Sequence, residues 1–163
     1  MIRVGILTLS DSGAAGERED KSGPLIKEIV QEIDGVVEYY KVIPDKKEMI
    51  IDELNKMAVE LGLNLILTTG GTGLAPSDVT PDATKEVIEK EVPGIPEAIR
   101  ADSLEKTRKA MLSRAVAGTK EEALIINLPG SPKAVEECLA VVLDVIPHAI
   151  ELLKDRVEDC ARE

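Results

Sequence analysis

Two aspartates and a run of glycines are the residues best placed to do chemistry in this chain. Asp45 follows Ile43-Pro44, and Asp78 follows Gly70-Gly71-Thr72-Gly73 by five residues; each stands just ahead of an expected helix. Two carboxylates from separate loops that meet at a polyphosphate suit Mg2+, a hard ion that takes oxygen ligands and shares them with substrate phosphates. Such an ion neutralises the charge that develops during attack at phosphorus. The glycine run is not a Walker A loop, since no Gly-Lys-Ser/Thr follows, and it is not a dinucleotide fingerprint. It does permit close backbone approach, positive φ angles and a cradle of N–H groups.

Each of these residues also has a plainer reading. Glu48 lies three residues after Asp45, so Asp45 could cap the following helix. Asp78 could close the glycine turn by accepting local backbone N–H groups. Thr80 and Ser131 both precede a proline and could be ordinary N-caps. Cys138 falls on the apolar side of a helix and reads as a small buried hydrophobe. Arg100, Arg108, Arg114 and Lys133 could meet phosphates, although such side chains are usually solvated surface charges.

The elements that must position these residues follow from hydrophobic periodicity. Arg3–Leu9, Val36–Ile43, Leu63–Leu67 and Ala123–Leu128 read as buried strands. Between and after them, helical spacing links Leu25, Ile26, Ile29, Val30 and Ile33, with Pro24 at the first helical position and Asp34-Gly35 as the stop. The same spacing links Ile50, Leu54, Met57, Ala58 and Leu61; Val135, Cys138, Leu139 and Val142; and Ile146, Ile150, Leu153 and Val157. A third helix starts at Thr80-Pro81-Asp82. The stretch from Val92 to Arg114 is helical but broken by Pro93-Gly94 and Pro96. Strand and helix alternate, so the expected fold is α/β, a single domain over residues 1–163 with a mainly parallel sheet. In such a sheet ligands bind outside the carboxyl ends of the strands. The turns at Ser10-Asp11, Pro44-Asp45, Thr69–Gly73 and Pro129–Lys133 should therefore share one rim, each leading toward a helix N-terminus that favours an anion.

Composition excludes several function classes. The net charge of −11 disfavours DNA, RNA and anionic membrane surfaces as partners. With no Phe or Trp and two Tyr, base stacking of the RNA-binding kind is unavailable. A single histidine and two cysteines outside any metal-ligand spacing argue against a zinc site; Cys160, near the C-terminus, reads as a free thiol. No stretch approaches the length of a membrane span, so a cytoplasmic location is expected.

The motifs in combination are more telling than any one of them. Leu67-Thr68-Thr69-Gly70-Gly71-Thr72-Gly73 followed by Asp78-Val79-Thr80-Pro81-Asp82-Ala83-Thr84 resembles the signature of the MogA/MoaB family of molybdenum-cofactor biosynthesis. Ile43-Pro44-Asp45, Leu112-Ser113-Arg114 and Asn127-Leu128-Pro129-Gly130-Ser131-Pro132-Lys133 match as well, so the resemblance covers nearly the whole chain. It implies a three-layer α/β/α domain of the molybdopterin-binding fold and a molybdopterin adenylyltransferase that uses Mg2+, with ATP as co-substrate and molybdopterin as acceptor. It also implies a homotrimer or hexamer and a MoeA-type partner that inserts the metal. Carried over by motif, Asp45 and Asp78 are the catalytic and metal-binding carboxylates. Gly70, Gly71, Thr72, Gly73 and Thr80 hold phosphates, and Ser10, Asp11, Ser113 and Arg114 line the molybdopterin site. Family members often carry a basic residue where this chain has Ala75-Pro76-Ser77, which leaves more of the task to metal and backbone N–H groups. Two other readings are a non-catalytic molybdopterin-binding or scaffold module of the same family, and a nucleotide-processing domain like that of competence-damage proteins. The paired aspartates argue against the first and the full Asp-Val-Thr-Pro-Asp-Ala-Thr run against the second.

Overall fold

A computed structural model describes residues 1–154; Val157 and Cys160 lie outside the described residues. Six strands, β1 (Ile2–Leu9), β2 (Gly35–Ile43), β3 (Leu65–Thr69), β4 (Lys90–Glu91), β5 (Ala117–Lys120) and β6 (Ala123–Leu128), form one sheet in the order β2-β1-β3-β6-β5-β4. The pairs β1–β2, β1–β3 and β3–β6 are parallel, while β5 runs antiparallel to both β6 and β4. The sheet is mainly parallel, as the alternation of elements requires.

Successive strand residues point to opposite faces, and two apolar cores result. On one face Ile6, Leu65, Leu67, Leu124 and Ile126 pack with Ile26 and Val30 of α2 (Ser22–Ile29) and its continuation, with Ile95 and Ile99, and with Val135, Leu139, Ile146 and Ile150. These last groups come from α5 (Gly94–Leu104), α6 (Pro132–Val142) and α7 (Ile146–Leu153). On the other face Leu7, Leu9, Ile66 and Ile125 meet Ile50 and Leu54 of α3 (Lys47–Asn55), Met57 of the π turn that prolongs it, and Ala83 and Val87 of α4 (Thr80–Val87). Helices thus cover both faces, giving the three layers.

The elements depart from expectation in four places. β3 lies two residues later than Leu63–Leu67, because Thr68 and Thr69 continue the ladder opposite Leu7 and Thr8. α2 begins at Ser22, ahead of Pro24, because Asp20 Oδ1 accepts the N–H groups of Ser22 and Gly23. Part of the first polar loop is a short helix, α1 (Asp11–Ala14), with Ser10 Oγ accepting the Gly13 N–H. The broken segment resolves into β4, α5 and a 3-10 turn over Arg108–Leu112, and then leads into β5, whose sequence Ala-Gly-Thr-Lys carries little apolar signal.

Because β1, β2, β3 and β6 run in one direction, their carboxyl ends share a rim. The reversed β5 matters here: it brings its own start, and with it Ser113 and Arg114, to that same rim beside the end of β6.

Candidate active site

The four turns are stitched together at the rim by main-chain bonds. The Ser10 N–H donates to Ile43 O (2.9 Å) and the Gly70 N–H to Leu128 O (3.1 Å). The Thr69 hydroxyl donates to Pro129 O (2.6 Å), and the Ser22 hydroxyl to Gly130 O (2.7 Å). Gly70 and Gly71 adopt φ of +100° and +68°, a region that L side chains rarely enter. A Cβ on Gly70 would lie 2.5 Å from Leu9 O, so the glycine is also required by close approach to β1.

Asp45 stands at the centre. It caps nothing: α3 has Lys46 as its N-cap residue, with no side-chain capping bond. The Asp45 N–H instead donates to Asp11 Oδ1 (2.9 Å), joining the turns after β1 and β2. Asp45 Oδ1 is the one buried side-chain polar atom without a hydrogen-bond partner among the described residues. Burial first, and then the charges of Asp11 and Asp78, push its carboxyl above the usual aspartate range, with the Asp11 backbone N–H opposing them in part. A desolvated carboxylate with a free oxygen and two acidic neighbours is poised to gain from a cation.

Asp78 behaves partly as the plainer reading has it. Its Oδ2 accepts the Ala75 N–H (2.9 Å), closing the loop after the glycines. Thr80 is fully buried, and its hydroxyl donates to Gly70 O (3.0 Å), fixing the loop from behind. By contrast, the N–H groups of Gly71, Thr72 and Gly73 donate to no acceptor among the described residues. Free N–H groups in succession are the kind of cradle that can accept an anion. Ser131 is an N-cap, its Oγ accepting the Ala134 N–H, and Cys138 is buried.

Arg114 is tied into the same loop. Its guanidinium donates to Gly73 O, to Asp78 O and to both carboxylate oxygens of Asp82. Beside it opens a cleft of about 320 Å³, mostly apolar, between the glycine loop, α5 with its 3-10 turn, and the start of α6. Ser103, Lys106, Lys109, Ser113, Asn127 and Cys138 are among its lining residues. The rim thus has two parts: an edge of free N–H groups beside the aspartates, and an adjoining cleft of a size suited to a small heterocycle.

The donor set fits Mg2+ of the kind that keeps open positions. Asp45 would supply a hard oxygen ligand, and Asp11 and Asp78 are near enough for their charges to act on it. Among the described residues no three His, Cys, Asp or Glu side chains close on a single point as a complete protein cage. An ion held here would draw its remaining ligands from phosphate oxygens and water, which is how Mg2+ is commonly bound.

The sequence matches a family model described as "Probable molybdopterin binding domain" over residues 5–148. The chain belongs to this family. Molybdopterin adenylyltransferase of Helicobacter pylori is 42% identical over 154 residues, 93% of this chain and 88% of that protein. The molybdenum cofactor synthesis protein cinnamon of Drosophila melanogaster is 41% identical over 96% of this chain, which spans only 26% of that longer protein. Among solved structures, the molybdopterin biosynthesis enzyme MoaB of Thermus thermophilus superposes with a TM-score of 0.90 at 50% identity, covering 95% of this chain and 98% of that one.

Within this molybdopterin-binding family fold, Ser10, Asp11, Asp45, Gly70–Gly73, Asp78, Ser113 and Arg114 all come to one rim, with Thr80 directly beneath the loop. The sequence does not single out Ser103, Lys106, Lys109 or Asn127 as cleft residues. The first three sit on a proline-broken helical stretch whose path depends on the short strand β4, and Asn127 is hidden inside a strand. Asn127 had a usable signal: a carboxamide within an otherwise apolar run must find partners when buried.

Proposed function

We propose that this chain transfers the adenylyl group of ATP to the terminal phosphate of molybdopterin, releasing pyrophosphate. The observation that carries the reading is Asp45. An unpartnered, desolvated carboxylate oxygen facing two further aspartates, beside a glycine loop with free N–H groups, is costly for stability and makes sense as a site for a cation and a polyphosphate. Named adenylyltransferases of this family, matched over most of their length, support the same reaction.

The acceptor is a phosphate oxygen that is already anionic, so no strong general base is needed. That agrees with a rim of aspartates and glycines and with a single histidine in the chain, His148. Gly71, Thr72 and Gly73 would hold phosphate oxygens through backbone N–H groups. The cleft beside Ser113 would take the pterin, aligning its phosphate with the α-phosphorus for in-line attack. Asp45 and Asp78 would hold Mg2+, which would supply charge stabilisation at the phosphates. Holding the reactants and excluding water are the tasks of the chain itself, and preorganised dipoles can supply much of the acceleration.

The same reading carries assembly as a homotrimer or hexamer and transfer of product to a MoeA-type partner. The exposed Leu104, Met111 and Leu112 near the cleft are apolar surface that association would cover. The described residues contain no helix long and apolar enough to cross a membrane.

The test is direct: purified protein with ATP, Mg2+ and molybdopterin, following pyrophosphate and the adenylylated product, with Asp78→Asn alongside. Product from the wild type and a loss on the order of 10² or more in the variant support the reading. If Asp78 served only its turn, the variant would lose about 1 kcal/mol of stability and keep its activity.

A further inference from the structure

Arg114 lies three residues ahead of β5 and reaches into the loop that carries Asp78. Its backbone N–H donates to Thr72 O (2.9 Å). Its Nε donates to Gly73 O (2.9 Å) and its Nη2 to Asp78 O (2.6 Å). Asp82, in the first turn of α4, receives Nη1 on Oδ1 (3.2 Å) and Nη2 on Oδ2 (3.0 Å). Arginine has five N–H donors, and four of them are occupied by these contacts.

Two consequences follow. The planar fork is fixed by a bidentate carboxylate, so the three carbonyls it reaches, directly or through its own N–H, are fixed too. These carbonyls belong to Thr72, Gly73 and Asp78, which flank the loop at both ends. And with Asp82 beside it, Arg114 offers a phosphate little uncompensated charge. The resemblance makes Arg114 a residue of the molybdopterin site, whereas its donors are spent on the protein.

We infer that Arg114 and Asp82 form a clamp that positions Asp78 and the glycine loop, so that Asp82 is a positioning residue for adenylyl transfer and Arg114 acts through the main chain rather than as a phosphate ligand. The inference rests on the reaction proposed above, but the clamp itself is a property of the free protein. The hydrogen bond from Arg114 holds the Asp82 carboxyl below the usual range, so the pair is ionised at neutral pH. Asp45 and Asp78 would hold an ion together only with the loop in register, and a misplacement of about 1 Å costs on the order of 10²-fold in rate.

The experiment uses the full chain with Asp82→Asn, Arg114→Lys, Arg114→Met and the double variant Asp82→Asn/Arg114→Met. Two readouts are taken: kcat and KM for ATP and molybdopterin, and amide hydrogen exchange over residues 71–79 without substrate. A clamp predicts that each single variant lowers kcat about tenfold or more, changes either KM by less than about threefold, and speeds exchange in the loop. Arg114→Lys keeps the charge but loses the fork, so it should fall with Arg114→Met. The double variant should be little worse than the poorer single one, since both break one unit. The inference is overturned if Asp82→Asn matches the wild type in kcat and exchange while Arg114→Met raises a KM with kcat retained, which would mark Arg114 as a substrate ligand. Should the wild type show no adenylyl transfer, the proposed reaction falls and exchange alone decides the clamp: faster in the variants upholds it, unchanged overturns it.

Discussion

The unpartnered Oδ1 of Asp45 lies 3.0 Å from the point where a Cβ would project from Gly71. The same Cβ would lie 2.4 Å from Thr80 Oγ1. Gly71 therefore does three things at once: it takes a φ of +68°, leaves room for the Thr80 hydroxyl that holds Gly70, and lets Asp45 approach the loop. Gly71→Ala should fold with a loss of about 1–2 kcal/mol from the left-handed backbone alone. Turnover should fall by far more than that stability loss explains, because the methyl displaces Asp45. Urea unfolding and steady-state kinetics on one preparation check both; near-normal kcat would remove Asp45 from the site.

Asp45→Asn separates stability from function. The folded-state pKa of Asp45 is raised, chiefly by burial. A raised carboxyl favours the folded state only while it is protonated, and that contribution is lost as pH rises from the ordinary aspartate value through the folded one. Above that window the wild type bears the cost of an ionised, desolvated carboxylate, whereas the carboxamide does not. Asp45→Asn should thus be more stable than wild type at pH 7 without Mg2+, seen as a higher denaturant midpoint. The advantage should vanish below about pH 4, where both side chains are neutral. Turnover should drop on the order of 10² or more. Denaturant midpoints across pH 3–8 give the comparison, and a variant less stable than wild type at pH 7 would contradict the electrostatic account.

Adding Mg2+ should invert that ranking. An ion that binds only the folded protein stabilises it by mass action, by about 2.7 kcal/mol at a hundred times its dissociation constant. The wild type should show a rise in melting temperature with Mg2+ that EDTA reverses, and Asp45→Asn should show little or none. A rise of the same size in both proteins would place the ion elsewhere.

Much of this could be read from the chain before its structure, and the reasons differ between the two halves. The parallel core announces itself because β1, β3 and β6 are buried on both faces and so read as continuous aliphatic runs. The rim follows from topology, since strands sharing a direction must deliver Asp11, Asp45, Gly70 and Pro129 to one side. What the sequence leaves hidden is set by pairing rather than periodicity. β5 is a strand because Ala117–Lys120 lies against Ala123–Ile126, and only its reversed direction brings Ser113 and Arg114 to the site. Likewise, nothing local distinguishes Asp45, with a free oxygen, from Thr80 and Ser131, whose hydroxyls are committed to the backbone; that depends on what the fold places within 3 Å.

Asn127 is the last position where the site and the core meet. It is buried in β6, with its Oδ1 accepting the Val116 N–H and its Nδ2 donating to the hydroxyls of Thr68 (3.0 Å) and Thr84 (2.9 Å). Thr84 in turn donates to Thr80 O (2.8 Å), and Thr80 to Gly70 O (3.0 Å), so a chain of hydrogen bonds runs from the middle of the sheet to the glycine loop. Asn127→Ala strands these partners and should cost about 2–3 kcal/mol. Asn127→Asp keeps the shape but replaces the Nδ2 donor with an acceptor facing two threonines, one of whose hydroxyl protons is already given to Thr80 O. Ionised and unpaired, that carboxylate should destabilise at least as much at pH 7. Protonated, it recovers one O–H donor, so Asn127→Asp should approach wild-type stability as pH falls below about 4 and lose it as pH rises. The alanine variant has no such titration. Denaturation curves at pH 3.5 and pH 7 distinguish the two, and a pH-independent cost in Asn127→Asp would mean that the carboxamide donors do not carry the network.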